Sequence, residues 1–363
     1  MVERPDRVVS FGAHGFGWAP FRGIGRLIVI EYHDDLKEVQ CDPVLAALLA
    51  APQAGAPFDR IEWWRNLAET CDFVPLIAVA RDGDHRAVLP LVRAGRRIDA
   101  LANWYNFRIR PLATTGADAK ALYTAMALDL VGEAPRITLA PLPDDDGEAA
   151  LLADCFRDAG WTVFRDACDR NHILRIGERS FADYIASRPG TLRTMLKRKA
   201  GKVKVTIETA FNPDSWSAYE AVYAKSWKPH EGSPTFLRRF AEEEGAGGRL
   251  RLGVARAEGV PVAAQFWTVE GKTAFIHKLA NTEASNPLSP GTTLSAALFE
   301  HVIEQDRVAL VDFGTGDDGY KRDWMDEVRP HFRLDMYRSG WPGNWPTLVK
   351  LVLRGLVGRG ANG

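Results

Sequence analysis

Between residues 272 and 324 the chain gathers side chains that can do acid–base and anion chemistry. The run VDFGTGDDGYKRDW, residues 311–324, leads an apolar strand into a loop with three glycines, two adjacent carboxylates, a tyrosine and a lysine. Strand ends of this kind are common ligand sites in α/β sheets. Like charges side by side raise the proton affinity of one of them. Asp317, next to Asp318, is therefore the first candidate for a general base or acceptor-orienting group. Tyr320 is the candidate acid for a leaving thiolate, and Lys321 the candidate neutraliser of a phosphate or carboxylate. A solvated turn with one capping aspartate and a salt bridge is the plainer alternative. Just upstream, His277 beside Lys278 offers a second base, or simply a structural strand histidine.

The run LSPGTT, residues 288–293, suits phosphate better than acid–base work. Serine before Pro-Gly-Thr-Thr looks like a helix start, with Ser289 as the cap and proline in the first turn. Free N–H groups and the positive dipole end of such a helix attract an anion, and a pyrophosphate is the natural occupant. A basic stretch, residues 193–204, holds six lysines and arginines and no acid. It is either a phosphate clamp or a solvated helix face.

The elements that must hold these groups read as alternating strands and helices. A β-meander occurs twice: IAVARDGDHRAVLPLVRAGRRIDA at residues 77–100 and LGVARAEGVPVAAQFWTVEGKTAF at 252–275. Val79-Ala80-Arg81 aligns with Val254-Ala255-Arg256. Self-similarity at nearly half the chain length predicts two copies of one α/β unit. Pro90 argues for an edge strand or a bulge. Residues 98–105 read as a strand ending at Trp104-Tyr105, the place that matches Lys278 to Ala280 in the second copy. Trp104, Tyr105 and Trp227 are thus candidates to line an acceptor cleft, with aromatic core packing as the alternative. Residues 161–164 and 172–176 read as two short strands. A length of 363 residues, 46% hydrophobic and 26% charged, suits about two globular domains. With 46 basic and 47 acidic side chains the net charge is −1, which excludes a broad nucleic-acid surface. The four cysteines show no metal-ligand spacing, so free thiols in a reducing cytoplasm and no metal site are expected.

The run SPGTTLSAALFEHVIEQDRVALVDFGTGDDGYKRDW, with the meander before it, resembles the GNAT acyltransferase superfamily. Within it the pattern is similar to the CelD-like (cellulose-biosynthesis type) branch, related to the Fem aminoacyltransferases. The shared pattern is Lys278, then Ser289-Pro290-Gly291, Asp312-Phe313-Gly314, Gly316-Asp317, Tyr320-Lys321 and Trp324. It is specific over 170–340 and weaker over 26–165. The resemblance implies an α/β fold of two tandem GNAT-like domains, each a mixed, mainly antiparallel sheet flanked by helices. The expected divisions are an irregular arm at 1–25, domains at 26–168 and 169–340, and a tail at 341–363. Acyl-CoA, the implied donor, would be bound by Leu279, Ala280 and Asn281 and by Ser289, Gly291, Thr292 and Thr293. Lys278, His277 and Asp312 would meet substrate. Leu288 to Thr293 replaces the superfamily's usual pyrophosphate loop, and the long helical hairpin of Fem relatives is missing.

The implied reaction moves an acyl group, in the first place acetyl, to an amine on an amino sugar or polysaccharide precursor. Two alternatives remain: an aminoacyl-tRNA donor, which would be the one nucleic-acid partner, and a non-catalytic component of an exopolysaccharide assembly. The tail, with WPTLVKLVLRGLV at 345–357, resembles an interfacial helix with a basic stripe. Docking on protein is the other reading of it. The N-terminal residues lack a signal-peptide pattern, and no apolar run reaches the ~18 residues of a membrane span. The expected location is cytoplasmic, with a peripheral contact at the inner membrane through the tail.

Overall fold

A computed structural model describes residues 7–10, 27–50 and 55–360. The rest of the arm expected at 1–25 lies outside the described residues. Its one described stretch, β1 (Arg7–Ser10), is a strand paired antiparallel with β2 (Leu27–His33). The chain divides into two compact units that exchange segments. The first takes the described parts of residues 1–50, 73–168 and 330–363, and the second those of 51–72 and 169–329.

In the first unit, β2 is followed by α1 (Leu36–Cys41) and α2 (Pro43–Leu48), each capped by an aspartate. The meander is β3 (Pro75–Asp82), β4 (His85–Ala94) and β5 (Arg97–Ala100), with the two-residue β6 (Leu112–Ala113) also on β4. Then come α4 (Ala119–Leu130), β7 (Arg136–Leu142), α5 (Glu148–Asp158) and the start of β8 (Trp161–Arg175). β5 and β7 pair in parallel, and β14 (Glu327–Arg338) adds antiparallel to β7. The last helix is α12 (Trp345–Gly360). Its core packs Ile28, Ile30, Leu89, Ile98, Leu122, Met126, Leu152, Phe156 and Met336.

The second unit repeats the plan. After α3 (Ile61–Thr70), contributed by the early segment, come the end of β8, α6 (Phe181–Ala186), α7 (Gly190–Lys199) and β9 (Lys204–Glu208). Next are α8 (Pro213–Ala224), α9 (Pro234–Ala246) and the meander β10 (Leu250–Ala257), β11 (Val260–Glu270) and β12 (Thr273–Asn281). α10 (Pro290–Glu300), β13 (Leu310–Thr315) and the short α11 (Lys321–Trp324) complete it. Its strand order is β8-β13-β12-β11-β10-β9, and only β12 and β13 run parallel. Tyr184, Trp267, Leu294, Leu298, Phe299 and Trp324 form its core. Both units are thus helix-flanked, mainly antiparallel sheets, as the sequence led us to expect.

Three local expectations are corrected. Pro90 lies inside β4, which has neighbours on both sides. It is tolerated because its nitrogen faces the gap beyond Leu91, where β5 has stopped pairing. The two short strands at 161–176 are one long strand, β8. β5 ends at Ala100, so Trp104 and Tyr105 stand in a turn that the Asn103 and Asn106 side chains organise.

Candidate active site

The second unit opens its sheet at one place. β12 and β13 pair from Thr273 and Leu310 only as far as Phe275 and Asp312. β12 then runs on to Asn281 and β13 to Thr315 without pairing to each other, leaving a wedge between two parallel strands. The two strand edges facing this wedge do not pair with each other, so an extended ligand can lie between them. Leu279, Ala280 and Asn281 form the β12 side of it.

A β-bulge at His277 decides which side chains face which way. Phe266 is opposite Lys278 and Trp267 opposite Ile276, so His277 is the extra residue. Ile276 and Leu279 pack on the α10 side. Phe275 and His277 turn the other way, against Phe58 and, for His277, Phe240 and Phe266. The bulge adds Lys278 to that same face, breaking the alternation of a regular strand. Lys278 Nζ bonds Glu231 Oε1 at 3.0 Å and lies 5.5 Å from the centre of the Tyr223 ring. Burial first of all lowers its pKa, which the Glu231 carboxylate opposes.

Beside this pair lies a cavity of about 560 Å³, walled by Trp216, Tyr219, Tyr223, Lys228, Glu231 and Leu237. Burial and the Lys278 charge depress the Lys228 amine, and Asp318 and Glu231 pull the other way. Of the carboxylates on the cavity wall, Glu220 accepts from the Trp216 indole at 2.8 Å, whereas Glu231 faces Lys278. Glu231, Tyr223 and Lys228 were not singled out in the sequence. Their loop, KPHEGSP, has no periodicity, and 47 residues separate Glu231 from Lys278.

On the α10 side lies a second concavity, of about 580 Å³, lined by Gly190, Thr191, Thr194, Met195, Arg198, Lys199 and Ser289. One face of α7 therefore fronts the start of α10. Ser289 is not the side-chain cap its position suggests. It adopts a left-handed backbone, φ 52°, and its hydroxyl makes no capping bond. Left-handed backbone in a non-glycine costs of order 1–3 kcal/mol and is found disproportionately at binding sites. Here it leaves the first-turn amides of α10 without a side-chain cap. Gly291 brings the turn close to β12, since a Cβ there would stand a tight 3.3 Å from Asn281 Oδ1. Buried Gln265 pins the turn by donating to the Gly291 carbonyl at 3.1 Å and the Ser295 hydroxyl at 2.7 Å. The Thr293 hydroxyl donates back to the Ser289 carbonyl, and Thr292 sits between them in the first turn.

The loop after β13 corrects several expectations. Asp317 is not a base with raised proton affinity. Arg322 above all, then Arg170 and His172, hold its carboxyl at about 2, and Arg170 Nη1 lies 2.6 Å away. These ion pairs stabilise the loop fully above the ordinary aspartate range and lose that effect as pH falls from there to about 2. Asp317→Asn should lower the unfolding midpoint at pH 7 and leave any acyl-transfer kcat within about threefold, a base being worth 10²–10⁴. Steady-state kinetics beside a urea melt would check both.

Lys321 does not reach a ligand. It is 4% exposed, and its amine donates to the carbonyls of Phe313, Gly314 and Thr315. Lys321→Met should cost about 1–3 kcal/mol, the usual price of orphaned buried carbonyls, as measured by urea unfolding. Asp312 is a brace too: its oxygens accept from Gly314 N at 2.8 Å and Asn171 Nδ2 at 3.2 Å. His277 is a neutral packing group. Burial among the rings takes its pKa down to about 3, and its Nε2 lies 2.8 Å from the Thr268 hydroxyl. Tyr320 meets the Phe313 ring edge to face, and burial raises its pKa, so the hydroxyl stays protonated.

His172 was not recognised from the sequence. It is fully buried, with Nε2 at 3.2 Å from Asp317 Oδ1. Trp227 is exposed on the cavity loop with Lys228 over its ring. Trp104, exposed, and Tyr105, buried, belong to the first unit. Among the described residues, no group of three His, Cys, Asp or Glu could hold a metal ion.

Residues 186–322, all in the second unit, match the family model described as acetyltransferase (GNAT) domain. Comparison with curated proteins finds no match. Among solved structures the chain is similar to FemX, at 10% identity and TM-score 0.57, covering 84% of this chain and 96% of that one. It is also similar to a conserved protein of unknown function from Bacteroides thetaiotaomicron, at 14% identity and TM-score 0.55, covering 85% and 99%. A third is the C-terminal (DUF2156) domain of a candidate lysylphosphatidylglycerol synthetase from Agrobacterium fabrum, at 14% and 0.52, covering 80% and 92%. The chain shares the fold of these proteins, and within its second unit residues 186–322 match a GNAT acetyltransferase domain.

Proposed function

We propose that the second unit transfers an acyl group from acyl-CoA to an amine. The observation that carries this reading is the wedge between β12 and β13, open beside an uncapped helix start and a basic helix face. The donor's pyrophosphate would lie on the first-turn amides of α10, with Arg198 and Lys199 taking its remaining phosphate charge. Donor binding supplies the thioester carbonyl. Glu231 orients the acceptor amine in the aromatic cavity and takes its proton as the C–N bond forms and the C–S bond breaks. Tyr320, held protonated, donates to the departing sulfur. The wall of Trp216, Tyr219 and Tyr223 suits a ring-bearing acceptor, consistent with an amino sugar on a polysaccharide precursor. The residue pattern from Lys278 to Trp324 supports placement in the CelD-like branch.

Calorimetric titration with acetyl-CoA tests the donor. We expect saturable binding that weakens about 10–100-fold in the Arg198→Ala/Lys199→Ala variant and with rising salt, as lost phosphate contacts require. A folded wild-type chain that binds no acetyl-CoA would reject the reading. Transfer from charged tRNA would then favour the Fem-like alternative.

A further inference from the structure

Among the described side chains of α12, one apolar side is partly covered and another is exposed. Leu348 and Leu351 are half-buried, whereas Trp345, Val349 and Leu353 are 58%, 59% and 56% exposed. These three follow one another at four-residue steps, so they form a single outward stripe. The Trp345 indole donates to the Ser339 carbonyl at 3.2 Å, which fixes the ring at the stripe's beginning. Lys350 is exposed on the same helix. Residues 336–363 hold four basic side chains and no acidic one, three of the four within α12.

We propose that α12 lies on the surface of an anionic lipid bilayer, with Trp345, Val349 and Leu353 in the headgroup–acyl boundary. Three half-exposed side chains offer far less than the roughly 800 Å² per partner that a stable protein interface needs. A bilayer needs no such complementary surface, and an anionic leaflet attracts basic residues held close to it. Sixteen residues of helix span about 24 Å, too short to cross the ~30 Å hydrocarbon core. The helix therefore lies along the interface, where lysine and arginine can keep their charges in the headgroups.

Vesicle co-sedimentation of the full chain tests this. With vesicles of three parts phosphatidylcholine to one part phosphatidylglycerol, we expect binding at 50 mM salt. It should fall at least tenfold at 500 mM salt or with phosphatidylcholine alone. Trp345→Ser/Val349→Ser/Leu353→Ser should abolish it without changing the thermal unfolding midpoint, and Lys350→Glu should weaken it. Equal sedimentation with and without vesicles overturns the proposal. So does a concentration-dependent dimer of the wild type, seen by light scattering and lost in the triple variant, because the stripe would then be a protein interface.

Discussion

Glu231→Gln is expected to lower kcat/KM for an amine acceptor by 10²–10⁴ while acetyl-CoA still binds with wild-type affinity. The amide keeps the shape of the cavity wall and can still accept a hydrogen bond from Lys278, but it can take no proton. The magnitude is that of general-base catalysis lost from a positioned carboxylate. Thiol release with a panel of amino sugars would read it. An unchanged rate would remove Glu231 from the chemistry and leave the donor reading untouched. Lys278→Met supplies a separate contrast. Without the ammonium at 3.0 Å the carboxylate loses its positioning partner, so KM should rise along with the loss in kcat.

The second large effect concerns stability. Arg60 is 3% exposed and reaches two buried carboxylates, Glu244 and Glu270, which Arg249 also contacts. Arg60→Ala should destabilise the second unit by about 3–5 kcal/mol, because it strands buried negative charge. Burial already raises the Glu270 pKa. A carboxyl raised in the folded state is penalised above that pKa and relieved below the unfolded one. The deficit of Arg60→Ala should therefore be largest near pH 8 and shrink on acidification. Replacing Arg60, Glu244 and Glu270 together by apolar residues should recover most of the loss. Urea unfolding at three pH values checks the series. Arg60 lies in the early segment, residues 51–72, so the same experiment shows how firmly that segment belongs to the second unit.

Much of this was legible in the residues. Both meanders read correctly because apolar alternation and Gly-bearing turns are local signals: Gly83 and Gly259 both adopt positive φ in their hairpins. Pro290 marked the beginning of α10 for the same reason. The turn from Ser289 to Thr293 and the basic helix α7 were legible as local features, since both are contiguous stretches.

The surroundings of the singled-out side chains were not. Asp317 looked like one of a repelling pair in sequence, but Arg322, five residues on, together with Arg170 and His172, 147 and 145 residues away, holds its charge. Lys321 looked like a free cation because nothing local shows that the chain folds three carbonyls around its amine. The His277 bulge is invisible in a strand of ordinary composition, and with it the aim of Lys278. Trp104 and Tyr105 were misplaced because the strand before them stops at Ala100, where the asparagines of the following turn take over the hydrogen bonding.

The exchange of segments has a consequence for how the chain is made. β7 pairs with β14, and the Arg136–Asp335 bond within that pair joins residues 199 apart. At translation rates of about 5–20 residues per second, the partner of β7 leaves the ribosome roughly 10–40 seconds after β7 itself. The first unit must wait through that interval with one edge of its sheet unfinished, while the whole of the second unit is synthesised. Vectorial synthesis therefore completes the second unit first, and the N-terminal half of the chain is the last to close.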